Sequence, residues 1–246
     1  MRGWSAKAGK LARIGRVPGW REALRRCRVA AGVEHAQMLR SLGPIRLVVD
    51  IGANRGQFAL VARNEYPRAQ IISFEPLAGP AAIFQKVFLR DERVRLVQAA
   101  IGPEQGDVSI HISARDDSSS LLPISNLQSE TFLGTEEVGT AMIPVGPLDS
   151  FVTAEELASP AVLKLDVQGY EYQALQGCES LLRRFVYVYC ECSFVELYSG
   201  QKLAADVMAW LAARGFRLQG MYNAFYDPQG VAIQADFLFV QGEQPL

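Results

Sequence analysis

The chain has 246 residues, of which 49% are hydrophobic and 21% charged, so it is long enough to bury one large core with an appendage. We expect no transmembrane helix, because no apolar run reaches about 18 residues, and no secretory signal, because the first residues lack an apolar core. The four cysteines have no spacing typical of a zinc site or a disulfide framework, which favours buried free thiols and a cytoplasmic protein.

Charge is distributed unevenly along the chain. Residues 1–46 carry eleven Lys or Arg and two acidic residues, a net charge of +9, whereas the rest of the chain carries a net charge of −10. This split predicts a basic helical extension over residues 1–44 and an acidic main domain over residues 45–246. Nucleic acid is disfavoured as a partner, because an acidic domain repels phosphate.

The extension contains apolar residues that fall roughly on one helical face, although Pro18-Gly19 interrupts the helix. These residues are Trp4, Leu11, Ile14, Val17 and Trp20. Two interpretations stay open, the first of which we favour. The extension is either a helical cap over the sheet or a peripheral anchor that places residues 1–40 on an anionic membrane surface.

The first predicted strand leads into a glycine-rich turn. Residues 47–51 are apolar apart from Asp50 and mostly β-branched, the pattern of a central parallel strand buried on both faces. Gly52 and Gly56 follow, and a helical pattern begins at Gln57. Glycines let the backbone turn sharply and approach a ligand closely, and the helix N-terminus offers unpaired N–H groups. The sequence therefore predicts a nucleotide-type site at this end of the sheet.

The spacing of this turn distinguishes among nucleotide sites. A phosphate loop would need Lys and Ser or Thr after Gly56, and a dinucleotide fingerprint would need glycine at position 54, which is Asn. The remaining pattern, Asp-x-Gly-x-x-x-Gly, resembles the first motif of class I S-adenosylmethionine-dependent methyltransferases. An ordinary βα turn with two convenient glycines stays open as the alternative.

A second short strand, residues 71–74, ends at Glu75, which lies 25 positions after Asp50. In nucleotide-binding βαβ units, an acid at the end of the second strand, about 20 residues on, accepts hydrogen bonds from ribose hydroxyls. Glu75 is therefore a predicted ribose contact.

The rest of the chain alternates strands and helices. Predicted strands cover residues 94–101, 162–166, 185–193, 216–222 and 233–240, and predicted helices cover residues 79–90, 171–184 and 203–214. Residues 108–112 alternate like a half-exposed strand. Residues 113–143, rich in Ser, Asp, Glu and Thr, predict a lid or substrate loop, with a plain surface loop as the alternative. The fold class is therefore α/β, a doubly wound, seven-stranded, mostly parallel sheet in which an antiparallel last strand would fit.

Four motifs in this order and spacing resemble the FkbM-type methyltransferases. They are Val-Val-Asp-Ile-Gly-Ala-Asn-Arg-Gly-Gln-Phe (48–58), Phe-Glu-Pro (74–76), Ala-Ala-Ile-Gly (99–102) and Leu-Lys-Leu-Asp-Val-Gln-Gly-Tyr-Glu (163–171). The resemblance covers roughly residues 45–242. It implies a Rossmann-like class I methyltransferase fold, S-adenosyl-L-methionine as the cofactor, and usually transfer to a hydroxyl oxygen. The acceptor it implies is a small molecule, such as a sugar, polyketide or lipid-like alcohol.

The resemblance also implies roles for particular residues. Asp50, Gly52 and Gly56 would shape the methionine end of the cofactor site, Asn54 and Arg55 would lie near its carboxylate, Glu75 would hold the ribose, Gln98 would face the adenine, and Asp166 would lie beside the transferable methyl. Gln168 stands where the family often has Glu, which removes one acid from the site.

Methylation of a hydroxyl also requires that the oxygen lose a proton, which calls for a base or a metal. Asp166 is the main candidate as base or acceptor-orienting group, with Glu191 and Glu171 as helpers. Convergent carboxylates suit Mg²⁺, and the sequence leaves open whether a metal is used. Neither His35, in the basic extension, nor His111, on a predicted edge strand, is assigned a role.

Other functions stay open from the sequence. An N-methyltransferase would need no strong base, and a cofactor-binding partner protein without catalysis would retain the same loop. A nucleotide-dependent oxidoreductase is disfavoured by the glycine spacing. The acceptor and the oligomeric state are not determined by the sequence.

Overall fold

The computed structural model describes residues 2–242 and the side chains of residues 9–242. Trp4, a member of the predicted apolar face, lies outside the described side chains. Within this range the strands are β1 (Leu47–Ile51), β2 (Gln70–Phe74), β3 (Val94–Val97), β4 (Ala100–Ile101), β5 (Gly106–Ser113), β6 (Glu137–Gly146), β7 (Ala161–Leu165), β8 (Tyr187–Ser193), β9 (Phe216–Tyr226) and β10 (Ala232–Gln241). The α-helices are α1 (Arg2–Arg16), α2 (Pro18–Cys27), α3 (Ala36–Ser41), α4 (Gln57–Glu65), α5 (Ala78–Val87), α6 (Asn126–Thr131), α7 (Glu171–Gly177) and α8 (Ala204–Ala212).

Seven strands form the main sheet in the order β3-β2-β1-β7-β8-β10-β9. The pairs from β3 to β8 are parallel, and β10 is antiparallel to both of its neighbours. The prediction of a doubly wound, seven-stranded, mostly parallel sheet with an antiparallel last strand is confirmed. The strand order reverses between β1 and β7, which is where a ligand crevice forms in folds of this kind.

A smaller sheet, β4-β6-β5, corrects two sequence predictions. The predicted strand 94–101 is two strands in different sheets, because the chain leaves the main sheet after Val97. Residues 113–143, named the insertion below, are not one loop. They contain a 3₁₀ turn at Asp116–Ser118, helix α6 and most of β6, which pairs antiparallel with β5.

The two faces of the main sheet bury different layers. On one face, Val49 and Leu163 pack with α7 and α8. On the other face, Val48 and Val162 pack with α4 and with α1–α3, named the N-terminal layer below. Alternation along each strand explains why neighbours in sequence enter opposite cores.

The N-terminal layer is anchored in this second core. Ile14 and Trp20 are 1% and 3% exposed, and the Trp20 indole Nε1 donates a hydrogen bond to the carbonyl of Leu60 at 2.9 Å. This packing supports the cap interpretation of the basic extension. Among the described helices, none combines the length and the apolar character needed to cross a bilayer.

Candidate active site

A cavity of about 630 Å³ opens at the carboxyl ends of β1, β2 and β7, within the range of roughly 300–1,000 Å³ typical of small-molecule sites. Three strand ends contribute to its wall: residues 51–55 after β1, residues 74–77 after β2 and residues 166–168 after β7. The insertion covers one side with residues 115–121, and the N-terminal layer covers another with residues that include Arg28, Glu34 and His35. The cavity therefore sits at the strand-order reversal that the fold predicts.

The glycine loop, residues 52–56, adopts a conformation that requires glycine. Gly52 and Gly56 have φ angles of +78° and +92°, in the left-handed region. A Cβ atom on Gly52 would collide with the carbonyl oxygen of Asp166, and one on Gly56 would lie 2.6 Å from the ring of Phe88. The backbone of this loop therefore approaches β7 more closely than any side chain would permit, and Gly52 lines the cavity whereas Gly56 lies behind it.

Glu75 ties the glycine loop to the end of β2. Its Oε2 accepts a hydrogen bond from the backbone N–H of Asn54 at 2.9 Å, and its Oε1 accepts one from the N–H of Leu77 at 2.8 Å. The side chain is 5% exposed, and burial raises the pKa of Glu75 to about 7 even though these two hydrogen bonds lower it. Each carboxylate oxygen keeps a further lone pair on the cavity wall, which fits a vicinal diol such as a ribose.

Arg55 links the glycine loop to the insertion. Its guanidinium donates from Nε at 3.1 Å and from Nη2 at 2.5 Å to Oδ2 of Asp116. The side-chain amide of Asn54 lies 3.5 Å from the other oxygen of Asp116. Asn54 and Arg55, which the sequence places near the carboxylate of the cofactor, thus both contact the carboxylate of Asp116.

Asp50 and Lys164 form a buried ion pair beneath the cavity. They are direct neighbours in the β1–β7 register, and the Lys164 Nζ lies 3.1 Å from Asp50 Oδ1. Nζ also donates to the carbonyl of Gly52 at 3.0 Å and lies 3.6 Å from Asp166. Burial alone would lower the pKa of Lys164, but Asp50 and Asp166 hold it above its ordinary value. Asp50 therefore acts from behind the wall, by holding the ammonium that supports the glycine loop.

Asp166 lies on the cavity wall at the end of β7, as expected. Its Oδ1 accepts a hydrogen bond from Gln168 Nε2 at 2.7 Å, and the same amide nitrogen lies 3.3 Å from Glu191. The Gln168 Oε1 accepts from the Tyr198 hydroxyl at 2.8 Å. Gln168 is thus an amide bridge between two carboxylates at a position where the family often has Glu.

Besides Asp50 and Gly56, three more predicted site residues lie away from the cavity wall. Glu191 is behind Gln168, where Gln234 Nε2 donates to it at 2.7 Å, and burial raises its pKa. Glu171 accepts from the N–H groups of Val167 and Gly169, so its carboxylate closes the turn after β7. Gln98 is exposed, because its side chain turns outward where the chain leaves the main sheet, and Ala99 and Ala100 line the cavity instead.

The described residues contain no group of three or more His, Cys, Asp and Glu side chains arranged to hold a metal ion. The use of Mg²⁺ stays a prediction from the sequence.

The structure places a row of polar residues at and beneath the cavity wall, of which the sequence analysis indicated only Asp50. Lys164, Tyr189 and Asp50 form a row across neighbouring strands on the side of the sheet that faces the N-terminal layer. Asp236 on β10 is paired with Glu191 on β8. Both lie on the same side of the sheet as this row, two positions beyond Tyr189 toward the cavity end of β8. His35, from the N-terminal layer, covers this row. The sequence gives one local signal for this row, which is a lysine within an otherwise apolar buried strand. No local pattern links His35 to Tyr189, because the two are 154 residues apart.

The fold and this site define a class of protein: a doubly wound α/β enzyme that binds a nucleoside-bearing cofactor across its strand-order reversal. Residues 50–218 match the model of the Methyltransferase FkbM domain, which is more than half of the chain. The chain therefore belongs to the FkbM methyltransferase family and is an S-adenosylmethionine-dependent methyltransferase. The family predicted from the four sequence motifs is confirmed.

Several known proteins are similar to this chain. A 2-O-methyltransferase, NoeI, from Sinorhizobium fredii is 30% identical over 68% of this chain and 72% of its own length. The 31-O-demethyl-FK506 methyltransferase FkbM from Streptomyces tacrolimicus is 26% identical over 78% of this chain and 77% of its own length. Among solved structures, a putative RNA methyltransferase from Pyrococcus horikoshii has a TM-score of 0.49 and 11% identity over 98% of each chain.

The residues present fit the cofactor that the family implies. The backbone of Gly52 lines the cavity without a side chain, and Glu75 presents two oxygens able to accept hydroxyl hydrogen bonds. Asn54 and Arg55 lie on the same wall and provide donors for a carboxylate.

Proposed function

We propose that this enzyme transfers a methyl group from S-adenosylmethionine to a hydroxyl oxygen of a small polar acceptor, such as a glycosylated metabolite. The observation that carries the proposal is the polar wall beside the glycine loop, where His35, Asp166, Gln168 and Gln234 meet. Such a wall pairs with the hydroxyls of a sugar-like molecule better than with an apolar one. The names of both relatives, a 2-O-methyltransferase and a 31-O-demethyl-FK506 methyltransferase, are consistent with an oxygen acceptor.

The cofactor is proposed to lie along the three strand ends. Glu75 would accept hydrogen bonds from its ribose, and Asn54 and Arg55 would bind its carboxylate in place of Asp116. When bound, S-adenosylmethionine supplies an electrophilic methyl group on a positively charged sulfur. The contribution of the chain is then to orient the acceptor hydroxyl, exclude water and take up its proton.

Asp166 is proposed to orient the acceptor hydroxyl. It lies on the cavity wall, but Lys164 and Gln168 both hold its carboxylate, at 3.6 and 2.7 Å. Because these two contacts fix the orientation of the carboxylate, Asp166 suits a hydrogen-bond acceptor that aligns the acceptor hydroxyl.

The test uses tritiated S-adenosylmethionine with a panel of blocked glycosides, their amino-sugar counterparts and macrolide alcohols. We expect methyl transfer to a hydroxyl, and we expect Asp166→Asn to lower kcat roughly 100-fold, because misalignment of the acceptor costs about that much. Binding of S-adenosylhomocysteine should change less than about threefold. Asp107→Asn, at an exposed position on β5, is the matched control and should be neutral.

Methylation of the amino sugars alone, with little effect of Asp166→Asn, would replace the proposal by N-methyl transfer. Cofactor binding with no transfer to any member of the panel, the amines included, would count against an acceptor of this kind.

A further inference from the structure

We propose that His35 of the N-terminal layer is the general base of this enzyme and that Tyr189 and Asp236 position its ring. The inference rests on the proposed transfer to oxygen, since only a hydroxyl acceptor needs a base to remove its proton. It assigns catalysis to a segment that lies before the residues matched by the family model, which begin at residue 50.

The position of His35 is set by aromatic packing. It ends the 3₁₀ turn Val33–His35, between α2 and α3, and its ring meets the rings of Phe58 and Tyr189 edge-on at centroid distances of 5.3 and 5.7 Å. The side chain is 16% exposed, and it lines the cavity together with Asp166 and Gln234. The imidazole is thus held rigidly on the wall where the acceptor is proposed to bind.

The hydrogen bonds determine which nitrogen carries the proton. The Tyr189 hydroxyl donates to Asp236 Oδ2 at 2.7 Å, so the Tyr189 oxygen is left as an acceptor toward Nδ1 of His35, 3.1 Å away. Asn223 Nδ2 donates to the same Asp236 oxygen at 2.7 Å and reinforces this direction. Asn223 Nδ2 also lies 3.5 Å from Nδ1, but the Tyr189 oxygen is closer, so we infer that Nδ1 of the neutral ring bears the hydrogen and that Nε2 keeps its lone pair. Within the described side chains, no protein group hydrogen-bonds to Nε2.

The charges around His35 come from every element packed against it. Asp236 Oδ2 on β10 lies 3.5 Å from Nδ1 of His35. Asp50 on β1 interacts with the ring electrostatically from below the cavity wall, and Glu34 is the residue before His35 in the sequence. Tyr189 on β8 is neutral, and Lys164 on β7, which lies over the Phe58 ring at 5.6 Å, is the one opposing charge among these groups. Glu34 is itself paired with Lys10 Nζ at 3.0 Å, so Asp236 is the nearest counter-charge for an imidazolium formed during the reaction.

The proton and electron balance is complete without a further reactant. The acceptor hydroxyl gives its proton to Nε2, its oxygen forms the new bond to the methyl carbon, and the electron pair of the broken carbon–sulfur bond returns to sulfur. The positive charge lost at sulfur is matched by the charge gained on the imidazolium, which afterwards releases its proton to water.

His111 provides a matched control, because the chain has two histidines. His111 Nδ1 lies 2.9 Å from Glu137 in the β5–β6 hairpin, and the residue does not line the cavity. His35→Asn is the informative variant, since its amide can still donate from the Nδ1 position to Tyr189 while nothing remains at the Nε2 position.

The first readout is independent of activity and uses ¹⁵N-histidine NMR on the full chain with bound S-adenosylhomocysteine. We expect the neutral His35 ring to be protonated at Nδ1 and not at Nε2, and we expect Tyr189→Phe to mix the two tautomers. His111→Asn leaves a single histidine and assigns the signals. A neutral ring protonated at Nε2 in the wild type would overturn the proposal.

The second readout is kinetic and uses the acceptor found in the panel. His35→Asn should lower kcat roughly 10²- to 10⁴-fold and remove the acid limb of the kcat–pH profile, while S-adenosylhomocysteine binding stays within about threefold and His111→Asn stays near wild type. A His35→Asn enzyme that matches His111→Asn in kcat would overturn this assignment and leave O-methylation standing. Failure of the wild type to methylate any hydroxyl would overturn both.

Discussion

At the scale of single residues, Glu75 shows how burial and hydrogen bonding compete. The backbone N–H groups of Asn54 and Leu77 stabilise the carboxylate, but burial outweighs them and raises the pKa of Glu75 to about 7. The group that is proposed to hold the ribose therefore changes its charge near neutral pH. Only the ionised form has both oxygens free of a proton and able to accept hydrogen bonds from a diol.

Cofactor affinity should accordingly depend on pH. As the pH rises from about 6 to about 8 through a pKa of about 7, the ionised fraction of Glu75 rises roughly tenfold, so the affinity for S-adenosylhomocysteine should rise by about the same factor. Calorimetric titration across this range measures the effect. Glu75→Gln should bind more weakly and lose the slope.

Glu171 has a raised pKa of about 7 as well, but its carboxylate lies off the cavity wall. A slope that persists in Glu75→Gln would assign the pH dependence to Glu171 or to another group.

At the scale of elements, the insertion is attached to the glycine loop at one ion pair. Arg55 and Asp116 are about one-third exposed, and their contact joins the 3₁₀ turn at Asp116–Ser118 to the cofactor site. The Tyr198 hydroxyl, which donates to Gln168, also lies 3.1 Å from the carbonyl oxygen of Ser118, and the Ser120 hydroxyl donates to the carbonyl of Gln168. These contacts make residues 115–120 the part of the insertion that would act as a lid.

Removal of the Asp116 charge should loosen this segment. We expect Asp116→Asn to increase amide hydrogen exchange of residues 115–120 roughly 3- to 10-fold, because a partly exposed charged contact contributes on the order of 1 kcal/mol. The neighbouring Asp117 pairs with Arg115 at a more exposed position, so Asp117→Asn is the control and should leave exchange unchanged. Equal effects in the two variants would show that the Arg55 contact does not hold the lid.

At the scale of the whole molecule, the basic N-terminal layer and the acidic sheet domain share one core. The layer buries Ile14, Trp20 and Met38 in one core with residues of β1, β7 and β8, and Arg40 pairs with Glu65 of α4 at 2.8 Å. The opposite net charges of the two parts, +9 and −10, therefore face each other within one folded unit.

Trp20→Ala tests this arrangement. We expect the free energy of unfolding to fall by about 3–5 kcal/mol, because the substitution leaves a cavity and removes the indole hydrogen bond to Leu60. Leu11→Ala, at a site that is 57% exposed on the preceding helix, should change stability by less than about 0.5 kcal/mol. Urea unfolding followed by circular dichroism measures both. A Trp20→Ala protein as stable as Leu11→Ala would mean that the layer contributes little to the fold.

The local pattern of the chain was enough to predict the main sheet and the glycine loop that is proposed to bind the cofactor. A strand such as residues 47–51 is recognised by its nearly continuous apolar run. The loop requires glycine at position 52, because any side chain there would collide with the backbone of Asp166. Glu75 followed from its distance along the chain, because consecutive parallel strands end at the same edge of a sheet. Gln98, predicted at the end of the third strand, lies in the break between β3 and β4, for which the sequence has no marker.

The acceptor end of the site was decided by tertiary structure alone. Asp50, Lys164 and Tyr189 became neighbours through the register of three strands, and His35 reached them through the packing of a layer that precedes the sheet. Periodicity reports which face of an element is buried, but not which distant element covers that face. The sequence by itself thus determined the fold class, the family and the cofactor loop. Only the folded chain decided which charges are paired beneath that loop and which histidine faces the cavity, because those contacts join residues more than 100 positions apart.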